Sequence, residues 1–419
     1  MTVDRWGQPV AGATSSCTAW DRAWGSFLHF RGDPMALLAD ANRHDTEFVL
    51  GPVFCAAYRI LAGAPRELPA LRDELAWSCE RARTGTERDR DFADALELLA
   101  AGEFTEAARR WDQAAEGNLD LPAVRLAHDI YLHVGDDEGR LASSRAAMHR
   151  WTAADPGSGF VWGQHAFALE ESGHYVEAER FGREALAVDP DDLWARHGLA
   201  HVYESTDNQD AALRLLRGEQ DRWSTQDLLS THMWWHLALR LLSVGDADAV
   251  IAIYDDLVPV ATTAFRLCDL TSLLWRLELE GVAVQNRWDD LADAWAARAE
   301  RHTCGFLDLH ATLAFARRPD HPGAARWRSG LAEAHQDADN ENADTFRAVV
   351  RPLAAAFTAY GEGRHREVVA ILERLGGSTR RIGGSVAQRD LIERTLAASR
   401  RELATNSPGA VPNRPGEGT

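Results

Sequence analysis

The feature that most constrains this chain is a recurring turn between helical segments. The stretches "AGEFTEAARRW" and "SGHYVEAERF" both fit Gly-x-aromatic-x-x-Ala, with Gly102 and Gly173 at the turn. Glycine relaxes the turn between two helices, and the small alanine lets the helices pack closely. Equivalent positions are Gly135, Asp207 and Gly245, so that successive spacings along the chain are 33, 38, 34 and 38 residues. The tetratricopeptide repeat has a period of about 34 residues.

Nearly every segment shows helical periodicity, and convincing period-two strands are missing. Two degenerate copies of the hairpin begin at Asn286 and Gly363. The sequence therefore predicts an all-α fold, an α-solenoid of tetratricopeptide-like helical hairpins that form a right-handed superhelix with a concave polar pocket. The predicted organisation is an N-terminal helical cap (1–85), tetratricopeptide-like repeats (86–316), degenerate C-terminal hairpins (317–403) and a disordered tail (404–419).

Charge and composition exclude several classes of function. The formal net charge of −19 argues against binding to nucleic acid or to an anionic membrane, which both need a basic face. All 45 basic residues are arginine. Without lysine there is no Schiff-base catalysis, no internal aldimine with pyridoxal phosphate and no Walker A loop.

The cysteines and the chain start predict a cytoplasmic protein. Five scattered cysteines without a C-x-x-C pair are typical of reduced thiols. The start "MTVDRWGQPVAGATSS" lacks the apolar core of a signal peptide. No apolar run approaches the roughly 18 to 20 residues of a membrane span. The sequence carries no signal for oligomeric state.

Two pairs of histidines have the spacing of one helix face. His197 and His201 are four residues apart, and so are His232 and His236. Alignment on the turn places His197 and His201 at two groove-lining positions of their repeat, with Glu204 at a third. The four histidines are therefore candidate ligands of a divalent metal, although a core role stays open and no cofactor is required by the sequence.

The same alignment assigns other polar residues. Arg125 and Asp129 fall at groove positions, whereas His128 falls at an internal one. Trp235 lines the groove beside the second histidine pair. Later helices add a polar stripe of Asp269, Ser272 and Arg276, the pair Asp308 and His310 in an apolar stretch, and Gln388 and Arg389 after a Gly-Gly-Ser turn.

Alternative interpretations exist for each of these later motifs. The stripe on "RLCDLTSLLWRLELEG" is also explained by solvation. Asp308 orienting His310 is one interpretation, but a spacing of two places them on different faces of a helix. The turn of "GGSVAQRD" predicts an S-x-x-Q capping box, and it can also bind an anion.

The motifs "AHDIYLHVG", "WARHGLAHVYES", "HMWWHLALRLLSVGDADAVIAIYDD", "LLWRLELEGV" and "GGSVAQRD" resemble the tetratricopeptide repeat protein 38 family over roughly Thr86 to Thr395. The resemblance implies an α-solenoid and transfers no catalytic mechanism. The family's characteristic polar positions fall on a set that includes His128: His128, Asp129, His197, His201, His232, His236, Asp269, Asp308, His310, Gln388, Arg389 and Asp390.

Three functions remain open at this stage. The first is a module that binds a small polar or anionic molecule, or a peptide end, through Arg125, His128, His197, His232, Trp235, Asp269, Asp308, His310, Gln388 and Arg389. The second is an enzyme that uses the same pocket for acid–base or metal-assisted chemistry, with His201, His236 and Asp129 as catalytic residues. The third is a plain protein-interaction scaffold.

Overall fold

The computed structural model describes residues 2–65, 67–218, 220–223, 228–261, 263–298 and 302–405. Their regular secondary structure is almost entirely helical. One short antiparallel pair, β1 (Thr2–Val3) and β2 (Pro9–Val10), is the only sheet within them. The predicted all-α solenoid of tetratricopeptide-like hairpins is thereby confirmed. Residues 406–419 lie outside the described ranges, so the disordered tail stays a prediction.

The N-terminal cap consists of four helices, and its second half packs on the first repeat. The third of these helices has nine of its twelve residues buried. The apolar core of the cap is continuous with the first repeat helices. The bounds are α1 (Thr14–Leu28), α2 (Pro34–His44), α3 (Leu50–Leu61) and α4 (Pro69–Ala82).

Five helical hairpins follow, each turning where the sequence alignment placed its turn. Their helices are α5 (Glu87–Ala101) and α6 (Phe104–Ala114), α7 (Leu121–Val134) and α8 (Asp137–Met148), α9 (Ser158–Glu171) and α10 (Tyr175–Val188), α11 (Leu193–Ser205) and α12 (Gln209–Gly218), and α13 (Ser230–Ser243) and α14 (Ala247–Leu257).

Local chemistry explains where these helices begin and turn. Aspartate side chains at the N-caps Asp120, Asp136, Asp192 and Asp246 accept hydrogen bonds from backbone N–H groups of the first helical turn. The turn residues have positive φ, which glycine adopts without strain; Asp207, at φ 51°, is the aspartate exception.

The remaining helices continue the stack and then return towards its start. A π-helical turn (Phe346–Val350) connects the fifth and sixth of them. The helices are α15 (Ala264–Leu279), α16 (Arg287–Ala296), α17 (Gly305–Arg317), α18 (Pro322–Glu333), α19 (Glu341–Thr345), α20 (Arg351–Gly361), α21 (His365–Leu375) and α22 (Val386–Thr405).

The end of the array contacts its beginning, so the solenoid closes into a ring. Backbone N–H groups of Asn342 and Gly384 donate to the carbonyls of Gly102 (3.1 Å) and Leu132 (3.2 Å). The backbone N–H of Val386, at the start of α22, donates to both carboxylate oxygens of Glu171 (2.9 and 3.1 Å). These contacts join α9 and the first two hairpins to the C-terminal segment.

The N-terminal cap covers the inner face of the ring. Phe30 stacks on Trp194 of α11, with ring centroids 5.9 Å apart. Tyr58 of α3 donates to Asp129 of α7 (2.9 Å). The inner helix faces, predicted to line an open groove, are therefore largely buried. Among the described residues no helix combines the length and apolarity needed to cross a bilayer.

Substitutions at two turn glycines can show how much stability depends on positive φ alone and how much on the contact that closes the ring. Gly135 and Gly245 both have positive φ (66° and 80°). A Cβ at Gly245 meets nothing within 4 Å, whereas at Gly135 it meets the Arg380 carbonyl oxygen at 1.8 Å. We expect G245A to lower the free energy of unfolding by about 1 kcal/mol, and G135A to lower it by several times more. Urea denaturation of both variants measures this, and equal losses would show that the closing contact contributes nothing.

Candidate functional site

Four histidines from neighbouring hairpins meet inside the ring. His197 and His201 are on α11, and His232 and His236 are on α13, the first helices of consecutive hairpins. The closest ring centroids, those of His201 with His197 and with His236, are 4.5 Å apart. One nitrogen from each of the four rings lies within 4.8 Å of the others. The tertiary fold thus unites the two pairs that the sequence placed on separate helices.

The outer nitrogens of three of these rings face carboxylates. His232 Nδ1 is 2.9 Å from Asp269 Oδ1, and His236 Nδ1 is 3.2 Å from Glu204 Oε2. His201 Nδ1 lies 3.6 Å from oxygens of both Glu170 and Glu171. A carboxylate at Nδ1 favours the tautomer that carries its proton there, which leaves the Nε2 lone pair free.

The inner nitrogens face each other or remain without a partner. His201 Nε2 and His197 Nε2 are 2.9 Å apart, so one donates to the other. His236 Nε2 and His197 Nδ1 are buried and have no hydrogen-bond partner among the described residues. Buried polar atoms without a partner are uncommon, and each one calls for an explanation such as a bound ion, a ligand or water.

Burial favours the neutral form of His197, His201 and His236. His201 and His236 are 1% exposed and His197 is 3% exposed. Burial, followed by the charge of neighbouring imidazoles, lowers the pKa of His197, His201 and His236 well below the usual value. The neutral imidazole is the form that binds metal ions.

Aromatic side chains form the walls of the histidine centre, by which we mean His197, His201, His232 and His236. His197 stacks on Phe167 (centroids 5.3 Å apart), and His232 stacks on Trp235 (5.0 Å). The Trp235 indole N–H donates to Ser272 Oγ (2.8 Å). The predicted polar stripe on α15 thus faces the centre, through Asp269 and Ser272, and not the solvent.

Sequence reasoning missed two glutamates at the end of α9. Glu170 and Glu171 are buried beside His201. Ser205 Oγ donates to Glu170 Oε1 (2.7 Å), while Glu170 Oε2 has no hydrogen-bond partner in the described part of the chain and lies 3.6 Å from His201 Nδ1. Burial, with Glu171 alongside, raises the pKa of Glu170 to about 9. The signal was present, because Glu170 precedes its turn glycine by the same three residues that separate Glu204 from Asp207.

Arg125 and Asp129 form a separate patch and do not reach the histidines. Arg125 Nε donates to Asp129 Oδ2 (2.9 Å), and Tyr58 donates to the same oxygen (2.9 Å). The Arg125 guanidinium lies 4.6 Å from the ring centroid of Trp194. His128 is also buried, with its ring centroid 5.7 Å from that of Trp194. Asp129 therefore pairs with arginine and tyrosine, and does not orient a histidine.

The interpretation of Asp308 as the partner of His310 is wrong. Asp308 pairs with His302, whose Nδ1 is 2.6 Å from Asp308 Oδ1. His310 Nδ1–H donates to the backbone carbonyl of Phe306 (2.8 Å), one turn earlier on α17. The two side chains point to different faces of the helix because they are two residues apart.

Gln388 and Arg389 have structural partners. The predicted capping box is present, since Ser385 N–H donates to Gln388 Oε1 (3.0 Å) and Gln388 N–H donates to Ser385 Oγ (3.2 Å). Arg389 lies 3.4 Å from Asp137 and 3.8 Å from Glu171. The start of α22, considered as an anion site, therefore already holds the Glu171 carboxylate.

Comparison with known families supports the repeat assignment. A family model described as tetratricopeptide repeat matches residues 169–218. The matched segment contains Glu170, Glu171, His197 and His201, and ends before α13. The chain is thus a tetratricopeptide-like helical repeat protein, and such repeats usually mediate protein–protein interactions.

The burial of His310 predicts a pH dependence of stability. Burial lowers its pKa to about 4, from an ordinary value of 6.5. On acidification, His310 is protonated in the unfolded chain at a higher pH than in the folded protein. Its contribution to the free energy of unfolding is therefore complete above pH 6.5 and is lost as the pH falls towards 4. Between pH 7.5 and 4.5 we expect wild type to lose roughly 2 to 3 kcal/mol relative to H310Q. Urea denaturation of both proteins across this range measures it, and parallel curves would contradict the assignment.

Proposed function

We propose that the protein binds one divalent transition-metal ion inside its ring, with the Nε2 atoms of His197, His201, His232 and His236 as ligands. The observation that carries the proposal is the arrangement of carboxylates behind the histidine centre. Asp269, Glu204 and Glu171 face the Nδ1 atoms of three rings, and Glu170, whose raised pKa keeps it protonated at neutral pH, lies beside His201 as well. This imidazole–carboxylate pairing is the usual outer shell of a histidine metal ligand.

An ordinary core explains this centre poorly. Four imidazoles in mutual contact leave two buried ring nitrogens, on His197 and His236, without a partner in the described part of the protein. Leaving a buried polar group unsatisfied costs about 1 to 3 kcal/mol, and an apolar side chain would avoid that cost. A cation bound by the four Nε2 atoms would give His236 Nε2 the partner that it lacks.

The ligand set favours a borderline transition metal. Imidazole nitrogens suit zinc, copper, nickel and iron, whereas calcium and magnesium prefer oxygen ligands. The free cysteines do not belong to the group of candidate ligand atoms. With four protein ligands, a zinc ion would have a complete tetrahedral shell and would link α11 to α13.

We expect a small polar molecule to bind inside the ring, next to the metal ion.

The four histidines are also among the characteristic polar positions of the tetratricopeptide repeat protein 38 family. We infer that the chain belongs to this family and acts in the cytoplasm. Metal-assisted chemistry, the enzymatic alternative, requires the same ion. A plain interaction scaffold, the third alternative, requires none of the four histidines.

Zinc binding tests the proposal directly. We expect the purified full-length protein, stripped and then dialysed against Zn²⁺, to retain one ion per chain by elemental analysis. H236Q and H197Q each remove one ligand and should lower the affinity at least a hundredfold. At a free concentration one hundred times Kd, zinc should stabilise wild type by about 2.7 kcal/mol and these variants by much less.

H165Q is the matched control for loss of a buried histidine. His165 is 6% exposed and its Nδ1 lies 3.0 Å from Ser144 Oγ, outside the histidine centre. H165Q should retain zinc stoichiometry and the zinc-dependent rise in Tm. If wild type retains no metal, or if H236Q and H165Q bind zinc equally, the proposal is wrong.

Asp269 tests the role of the outer carboxylates. D269N keeps the size of the side chain and an acceptor oxygen for His232 Nδ1–H, but removes the negative charge. We expect zinc affinity to fall 10- to 100-fold while the stoichiometry stays at one. Competition with a chromophoric chelator measures the affinity. Unchanged affinity would show that Asp269 only packs against His232.

A further inference from the structure

Arg276 carries a buried positive charge on which Asp390, Glu204 and Asp269 act without contacting it in the described ranges. It lies on α15 and is 1% exposed. Its Nη2 donates to the backbone carbonyl of Ala387 (2.7 Å) and its Nη1 to that of Ser272 (3.3 Å), but Nε has no partner among the described residues. Its nitrogens form no ion pair within 4 Å in those ranges. Burial lowers the pKa of Arg276 to about 10, which leaves it charged at neutral pH.

This charge is adjacent to the histidine centre. The Arg276 guanidinium lies 5.3 Å from the ring centroid of Trp235, the same indole that stacks on His232. Its charge, together with that of Arg240, helps to lower the pKa of His236. Asp269 and Ser272, on the preceding turns of α15, already contact His232 and Trp235.

Two further buried arginines leave donors unpaired near the centre. Arg240 lies 3.6 Å from Glu204, but its Nε has no partner in the described ranges. Arg140 is fully buried over Phe167, and its Nε and Nη1 are likewise unpartnered there. A guanidinium can only donate hydrogen bonds, so acceptors must come from elsewhere. All the unpaired arginine donors around the centre thus require an acceptor.

We infer that the interior of the ring binds a small oxyanion, a carboxylate or a phosphate, through Arg276 and Arg240 beside the histidine centre. This inference deepens the proposed function and rests on it in part. The positive charge that attracts the oxyanion comes from the arginines and also from the proposed divalent metal ion. An anion would give the unpaired donors of Arg276 and Arg240 an acceptor, which a cation cannot supply, and would add to the charge compensation of Arg276 by Asp390, Glu204 and Asp269.

The size of the ligand follows from burial. Among the four histidines and the acidic side chains behind them, the most exposed are Glu204, at 16%, and His232, at 12%. This low exposure suits an anion of a few atoms.

Inorganic phosphate and acetate are the probes, with chloride at equal ionic strength as the reference. We expect one of the two oxyanions to bind zinc-loaded full-length protein saturably in calorimetry and to raise its Tm. The preferred probe distinguishes phosphate from carboxylate chemistry. R276Q should weaken this binding at least tenfold while zinc stoichiometry stays at one. R276K, which keeps the charge, should retain more affinity than R276Q.

R287Q is the matched arginine control, since Arg287 pairs with Asp255 at the partly exposed start of α16. It should bind the oxyanion as wild type does.

If R276Q fails to fold, R240Q gives the same test. Zinc retention without oxyanion binding in wild type, or full binding by R276Q, would overturn this inference and leave the metal proposal standing. Oxyanion binding that depends on Arg276 in a protein that holds no zinc would overturn the metal proposal alone.

Discussion

Closure of the solenoid is the constraint on which the rest of this structure depends. In an open array the inner helix faces would be wet, and their polar residues would need no partner. Here the backbone of the Gly135 turn meets the carbonyl of Arg380, and the N–H of Val386 meets Glu171. The N-terminal cap adds Phe30 and Tyr58 from the inner side. The polar inner residues therefore become a buried interior.

Because this polar interior is buried, its side chains need hydrogen-bond or ion-pair partners. Three imidazoles face carboxylates, and Arg125 pairs with Asp129. Among the described residues, the buried atoms left without a hydrogen-bond partner include ring nitrogens at the histidine centre and guanidinium donors around it. The first kind suits a cation and the second an anion. A metal ion with a small oxyanion nearby would satisfy both, which is why the two proposals belong together.

Much of the fold could be predicted, because turn chemistry is local. Gly102, Gly135, Gly173, Asp207 and Gly245 all adopt the positive φ that their place in the repeat requires. The same alignment placed His197 and His201 on an inner face and Trp235 beside the second pair. It failed where the partner comes from another segment: Asp308 pairs with His302, and the α22 start is filled by Glu171. Glu170 was missed although it has the same place in its repeat as Glu204.

The sequence by itself determined the helical hairpins, their turns and the face on which each polar residue lies, since period and backbone preference depend on near neighbours. Only the tertiary structure decided that the array closes, that His197 and His201 meet His232 and His236, and that Arg276 has no carboxylate within ion-pair distance among the described residues. Those outcomes depend on distances between residues far apart in the chain. Helical spacing gives the face of the helix on which a side chain lies, but it does not identify the residues of other helices that this side chain contacts.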